Sequence, residues 1–185
     1  MKKLLIVLAS VLVASGATAK TKPFNASLTP NIAVYDRNEM IEGLTLSIWG
    51  ENPQTSLALG LVNGTIGQSA GLSLGLLNYA GSYKGLQWGL VNYTTDNFSG
   101  WQGGFVLGII VSALNYTGGD MKGLQTGLVN YANNLTGLQI GLFNYAETID
   151  DGVQIGLLNI MPRNEWFTNL PDELTPGMIL VNWSF

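Results

Sequence analysis

Gly137-Leu138-Gln139-Ile140-Gly141-Leu142-Phe143-Asn144-Tyr145-Ala146 is one copy of a motif that recurs along the chain. Gly123-Leu124-Gln125-Thr126-Gly127-Leu128-Val129-Asn130-Tyr131-Ala132 precedes it, and Gly85-Leu86-Gln87-Trp88-Gly89-Leu90-Val91-Asn92-Tyr93-Thr94 stands earlier. Gly152-Val153-Gln154-Ile155-Gly156-Leu157-Leu158-Asn159 follows. Looser copies run from Gly71 to Ala80 and from Ser56 to Asn63, and Gly43 to Trp49 is a degenerate first one. The motif asparagines Asn63, Asn78 and Asn92, then Asn115, Asn130, Asn144 and Asn159, lie 14 or 15 residues apart within each run. A short fixed period sets the architecture before any residue chemistry is considered.

Inside each copy apolar and small or polar residues alternate with period two, which specifies strand and not helix. One face carries Leu86, Trp88 and Leu90, then Leu124, Thr126 and Leu128, then Leu138, Ile140 and Leu142, then Val153, Ile155 and Leu157. The opposite face carries Gly85, Gln87 and Gly89, then Gly123, Gln125 and Gly127, then Gly137, Gln139 and Gly141, with Gln154 at the same place. It closes on Val91, Val129, Phe143 or Leu158, and straight alternation carries Tyr79, Tyr93, Tyr131 and Tyr145 onto it too. These glycines and glutamines, with Asn92, Asn130, Asn144 and Asn159, are the structural repeat positions. The glutamines are expected to hydrogen-bond one another across neighbouring strands, since polar groups away from water need partners.

From Asn52 to Asn164 the charged residues are Lys84, Asp96, Asp120, Lys122, Glu147, Asp150, Asp151 and Arg163, and all lie between copies. The same gaps hold turn formers such as Gly118-Gly119-Asp120 and Asn133-Asn134. Two segments depart from the plan. Gly100 to Tyr116 joins two half-motifs without a polar turn and reads either as one bent strand or as two strands about a glycine. Met161 to Pro176 holds three prolines among its charges and reads as the longest exposed loop.

Met1-Lys2-Lys3, an apolar run from Leu4 to Val13, and Ala17-Thr18-Ala19 read as a secretory leader over 1–19. Cleavage after Ala19 would leave residues 20–185 as one repeat-built β domain, with repeats over about 43–160 and a final strand over 177–185. Losing Lys2 and Lys3 takes the formal charge from −4 to −6. Charged residues make up 11% of the chain, against about 25% in ordinary soluble domains, so much of the outer surface is expected to face something other than water. An acidic balance argues against nucleic acid. The chain contains no cysteine and no histidine, which removes thiolate chemistry and the commonest general base and metal ligand. Asp150-Asp151 and Asp172-Glu173 sit in turns with no basic or nucleophilic partner in sequence reach. The expectation is therefore no catalytic, cofactor or metal site.

The chain ends Gly177-Met178-Ile179-Leu180-Val181-Asn182-Trp183-Ser184-Phe185. An alternating last strand with a terminal aromatic carboxylate resembles the C-terminal signature of bacterial outer-membrane barrels. That resemblance implies an assembly signal at Trp183 and Phe185 and the barrel assembly machinery as a partner. The G-L-Q-x-G-L-x-N repeats resemble uncharacterised bacterial surface repeat proteins, which implies secretion and surface location. Gln139-x-Gly141-x-x-Asn144-x-Ala146 is similar to the inner part of curlin repeats, the subunits of secreted fibres.

Two architectures take up the repeat. An antiparallel up-and-down transmembrane-type β-barrel of about 10–12 strands puts leucines toward membrane lipid and glycine and glutamine toward a lumen. A β-solenoid of 14–15-residue coils turns the leucines inward and stacks Gln and Asn ladders, and it explains why every copy has the same phase. The barrel is the leading expectation, as an outer-membrane or cell-surface protein with a structural or surface-interaction role and an unidentified surface ligand. A secreted solenoid adhesin or matrix component is the alternative.

Overall fold

The computed structural model describes residues 21–104, 112–163 and 177–185. The expected leader over 1–19 and the acidic pair Asp172-Glu173 lie outside the described residues.

All described secondary structure is strand: β1 (Thr21–Thr29), β2 (Ile32–Ala33), β3 (Met40–Gly50), β4 (Thr55–Leu74), β5 (Leu77–Trp88), β6 (Val91–Thr94), β7 (Phe98–Gly103), β8 (Ser112–Ile160) and β9 (Gly177–Ser184). The 49 residues of β8 would extend about 160 Å if straight, at ~3.3 Å per residue. Instead β8 winds back on itself, and its repeat asparagines bond to one another at each turn.

Copy pairs with copy in parallel and in register. Val62 lies beside Leu77, Leu77 beside Val91, and Val91 beside Leu114. On the other half of the coil Gly71 lies beside Gly85, Gly85 beside Gly100, and Gly100 beside Gly123. This corrects the antiparallel up-and-down expectation: the sheet is mixed and mostly parallel. The reason lies in the sequence, because identical copies at a constant period superpose residue on residue only when neighbours run the same way. Among the described residues antiparallel pairing occurs at the two ends alone, between β1 and β2 and between β8 and β9. The final strand therefore pairs with its neighbour over Gly152–Ile160 and not with β1, as closure of a barrel requires.

The alternation does not run straight through a copy. Gly141 and Asn144 both point inward, whereas Leu142 and Phe143 are both 48% exposed. Two consecutive outward residues make a corner, and the phase of the second half shifts by one. The same corner separates β5 from β6 at Gly89-Leu90. That shift moves the tyrosines outward, off the glycine–glutamine face, and moves the asparagines inward. Of the segment from Gly100 to Tyr116, the ends on β7 and at the start of β8 take the places of the two halves of a coil, and residues 105–111 between them lie outside the described residues. Gln102 and Asn115 occupy the places that Gln125 and Asn130 occupy in the next coil.

Each coil thus has a leucine corner and, at the other end, a charged corner. Beneath the charged corner lies the apolar core, where Tyr83, Phe98, Met121 and Leu135 pack with Ala80, Ala132 and Ala146. Tyr83 and Phe98 stack at 6.2 Å, and burial pushes the Tyr83 phenol up to about 12.

Candidate functional site

The interior toward the leucine corner is filled by amides. Asn63 Nδ2 donates to Asn78 Oδ1 at 3.0 Å, Asn78 to Asn92 at 2.8 Å, and Asn92 to Asn115 at 2.9 Å. Asn115 donates to Asn130 and Asn130 to Asn144, both at 2.8 Å, and Asn144 to Asn159 at 2.7 Å. A second ladder runs beside it in the opposite direction. Gln102 Nε2 donates back to Gln87 at 2.9 Å, Gln125 to Gln102 at 2.8 Å, Gln139 to Gln125 at 2.7 Å, and Gln154 to Gln139 at 2.8 Å. The two rows of amide dipoles therefore oppose each other.

Remaining donors tie the coil together. Gln125 and Gln139 reach across to the carbonyls of Tyr131 and Tyr145 in their own coil, at 3.1 and 3.2 Å. Asn130 and Asn144 reach the carbonyls of Ile140 and Ile155 in the next, both at 3.0 Å. Buried amides cost free energy only when unpartnered, so a ladder that satisfies every step can replace an apolar core. Among the described residues, buried polar side chains outnumber buried apolar ones.

The motif glycines make room for this. A Cβ on Gly141 would stand 2.3 Å from the Gly127 carbonyl oxygen and 2.6 Å from Asn130 Nδ2. Gly89 and Gly127 face their own ladder asparagines in the same way. In the looser copies Ala58 and Ser73 take the glutamine position, and Ser73 Oγ donates instead to Asn78 Oδ1 at 2.7 Å.

Outside the coil the apolar residues lie in rows. Leu61, Leu76, Leu90, Leu142 and Leu157 are between 41% and 59% exposed along the corner, flanked by Ile140 and Ile155. This corrects the solenoid expectation in one respect, since the leucines face out and the amides face in. On the adjoining half Tyr93, Tyr116, Tyr131 and Tyr145 stack at 4.8, 4.7 and 5.1 Å with nearly parallel rings. Sequence reading missed this column, because straight alternation put its members inside. Tyr145 Oη donates to Glu147 at 2.6 Å, and that bond, with burial, pushes its phenol up to about 12.

Trp183 lies across from Val153, 41% exposed, and Phe185 is 74% exposed beyond the strand. Asn182 sits opposite Gln154 at the end of the glutamine ladder, where Gln154 Oε1 and Asn182 Nδ2 are buried without hydrogen bonds. Asp150 accepts from Asn134 Nδ2 at 2.8 Å. No three acidic side chains gather among the described residues as a metal ion would need. No family model matches the chain, and no curated protein and no solved structure matches it either.

A first prediction follows from the ladder. Asn130→Leu keeps the volume but strands the Asn115 donor, the Asn144 acceptor and the Ile140 carbonyl. At roughly 1–3 kcal/mol for each stranded group the loss is about 3–9 kcal/mol. Tyr131→Leu, which breaks the outer column, should cost no more than about 1.5 kcal/mol per ring contact. Urea denaturation of both variants checks the order, and equal midpoints would contradict it.

Proposed function

We propose that this chain is an exported, non-catalytic β-solenoid whose outward apolar rows seat it against lipid, as a structural and surface-interaction protein of the bacterial cell envelope. One observation carries the reading: the usual polarity is inverted, with hydrogen-bonded amides inside and a leucine corner outside. From Gly71 onward charge is held at the opposite corner, so the cross-section of these coils is amphipathic along the same direction. Exposed apolar area that is contiguous and rimmed by polar groups marks a membrane or protein contact, and a one-sided apolar surface favours lying in a lipid interface. The low charge content and the leader-like N-terminus support the same reading.

Flotation of the mature chain with phosphatidylcholine vesicles tests it. The protein should float with lipid and leave it with detergent, and recovery as a soluble monomer in the dense fraction would overturn the proposal. Neighbouring substitutions separate solenoid from barrel. Ile140, 38% exposed, should accept arginine with the fold intact but with weaker flotation. Gln139, fully buried, should not, because an unpaired buried ion costs several kcal/mol. A barrel with a wet lumen gives the reverse, with Gln139→Arg tolerated and heat-dependent gel mobility.

A further inference from the structure

The charged corner carries a site of its own. In the row preceding the motif glycines, Lys84 pairs with Ser99 and Ser99 with Lys122. Both lysines are exposed. Two residues earlier runs a second outward row of Gln68, Ser82 and Asn97, ending at Asp120. Between the rows lies a shallow groove of about 550 Å³ along the stacking direction, with Tyr83 and Phe98 in its lining.

The cations make this groove unlike the rest of the surface. Among the described residues Arg37 pairs with Glu51 at 3.5 Å, Arg163 with Glu147 at 2.9 Å, and Lys22 lies over the Tyr35 ring. Lys84 and Lys122 have no such partner among the described residues, and they fall in one row of one groove. Two strand spacings separate them, about 10 Å along the axis, which is close to the length of a disaccharide in an extended chain. The hydroxyls and amides between them repeat at each strand step of ~4.8 Å.

We infer that this groove binds a linear acidic glycan, with a carboxylate on each lysine and its hydroxyls on Ser82, Asn97 and Ser99. A peptide docking as an added strand would want an open strand edge, and the groove provides none. Tyr83 and Phe98 are only 3% and 1% exposed, and the backbone here is paired on both sides. Asp120, whose Oδ1 accepts from Asn134 Nδ2 at 3.5 Å, accepts from a sugar hydroxyl and restricts how closely a carboxylate can pass. The chain is acidic as a whole, so it repels polyanions except where these lysines stand. Attraction between exposed charges is screened by salt, and binding is therefore salt-sensitive. The site lies away from the leucine corner and stays open whether or not lipid covers that corner.

The test is titration calorimetry of the detergent-solubilised mature protein with a hyaluronan hexasaccharide, which carries one carboxylate per disaccharide. Chitohexaose serves as the neutral chain and glucuronate as the lone anion. Saturable binding of hyaluronan is expected, at least tenfold tighter than either control. It should weaken at least tenfold at 0.5 M salt and in Lys84→Gln/Lys122→Gln. Both substitutions are on exposed positions, so the double variant should keep the circular dichroism and melting of the parent. No binding to hyaluronan, equal binding of chitohexaose or glucuronate, or a double variant that binds as the parent does would each overturn the inference. None of these outcomes bears on vesicle flotation, which Lys84→Gln/Lys122→Gln should leave unchanged.

Discussion

Gly137→Ala should abolish folding. Gly137 has φ +131, a backbone conformation that residues with a Cβ rarely adopt, and the added Cβ would lie 2.2 Å from the carbonyl oxygen of Gly123. Nothing flexible can give way, because the obstacle is backbone of the preceding coil. Gly123 is itself under the same constraint from Gly100, at φ +126 and 2.1 Å. Relief demands that two coils separate by more than an ångström. Such a gap breaks the Gln139–Gln125 bond of 2.7 Å and the Asn130–Asn144 bond of 2.8 Å together. The combined loss exceeds about 5 kcal/mol, the range reserved for disrupted cores and networks, and is comparable with the whole stability of many domains. Gly67→Ala is the internal control. Its φ is also positive, +77, but nothing lies within 4 Å of the added Cβ, so only the conformational cost of about 1–2 kcal/mol remains. Expression of both variants, read by circular dichroism, should give a β-rich protein for Gly67→Ala and none for Gly137→Ala. A folded Gly137→Ala would mean that the coils do not stack as closely as described.

How far the sequence disclosed this can be told residue by residue. The period was plain, and so was the grouping of Gly85, Gln87 and Gly89 with their counterparts on one face. The charges between copies were legible because charge avoids a packed interior, whereas the turns expected at Gly118-Gly119-Asp120 and Asn133-Asn134 lie within the strand β8. Strand direction was the first failure, although the identical phase of every copy pointed to parallel stacking. The leader-like segment and the terminal Phe185 outweighed it. The second failure was the corner at Leu142-Phe143. Nothing in two consecutive apolar residues announces a bend, and period-two alternation continued through them inverts every later assignment. Tyr145 thereby went to the wrong face. The third was the assumption that leucines must fill a solenoid. Asparagine at a constant 14 or 15 residues carries the contrary signal, since a ladder of equal amides can satisfy itself in the dry. The glycan groove was invisible for a simpler reason. Lys84 and Lys122 are 38 residues apart, and only the coil that begins at Phe98 brings them into one row.

Deleting residues 177–185 should convert the protein into a dimer. β9 covers the last coil, pairing antiparallel with Gly152–Ile160, and Asn159 Nδ2 donates to the Met178 carbonyl at 3.3 Å. Its fit is imperfect: the register shifts between Gly156 and Asn159, and Leu180 takes a left-handed φ of 74. A non-glycine residue there stores about 1–2 kcal/mol, so β9 acts as a lid on the stack and not as another coil. Without it the last coil presents a row of free N–H and C=O groups, a template for pairing with another strand. The opposite end of the stack is a poorer mate, because β2 folds back antiparallel over Ser27–Thr29 of β1. Head-to-tail growth is thereby hindered along part of that edge. The better contact is a second copy related by a two-fold axis, whose last coil would run antiparallel to the first as β9 does now. Such a contact is closed and stops at two. Light scattering after size exclusion, with detergent present to cover the leucine corner, should show twice the mass of the full-length chain. A truncated monomer of unchanged stability would show that β9 caps nothing, and long fibres would show that the β1–β2 end is open to growth after all.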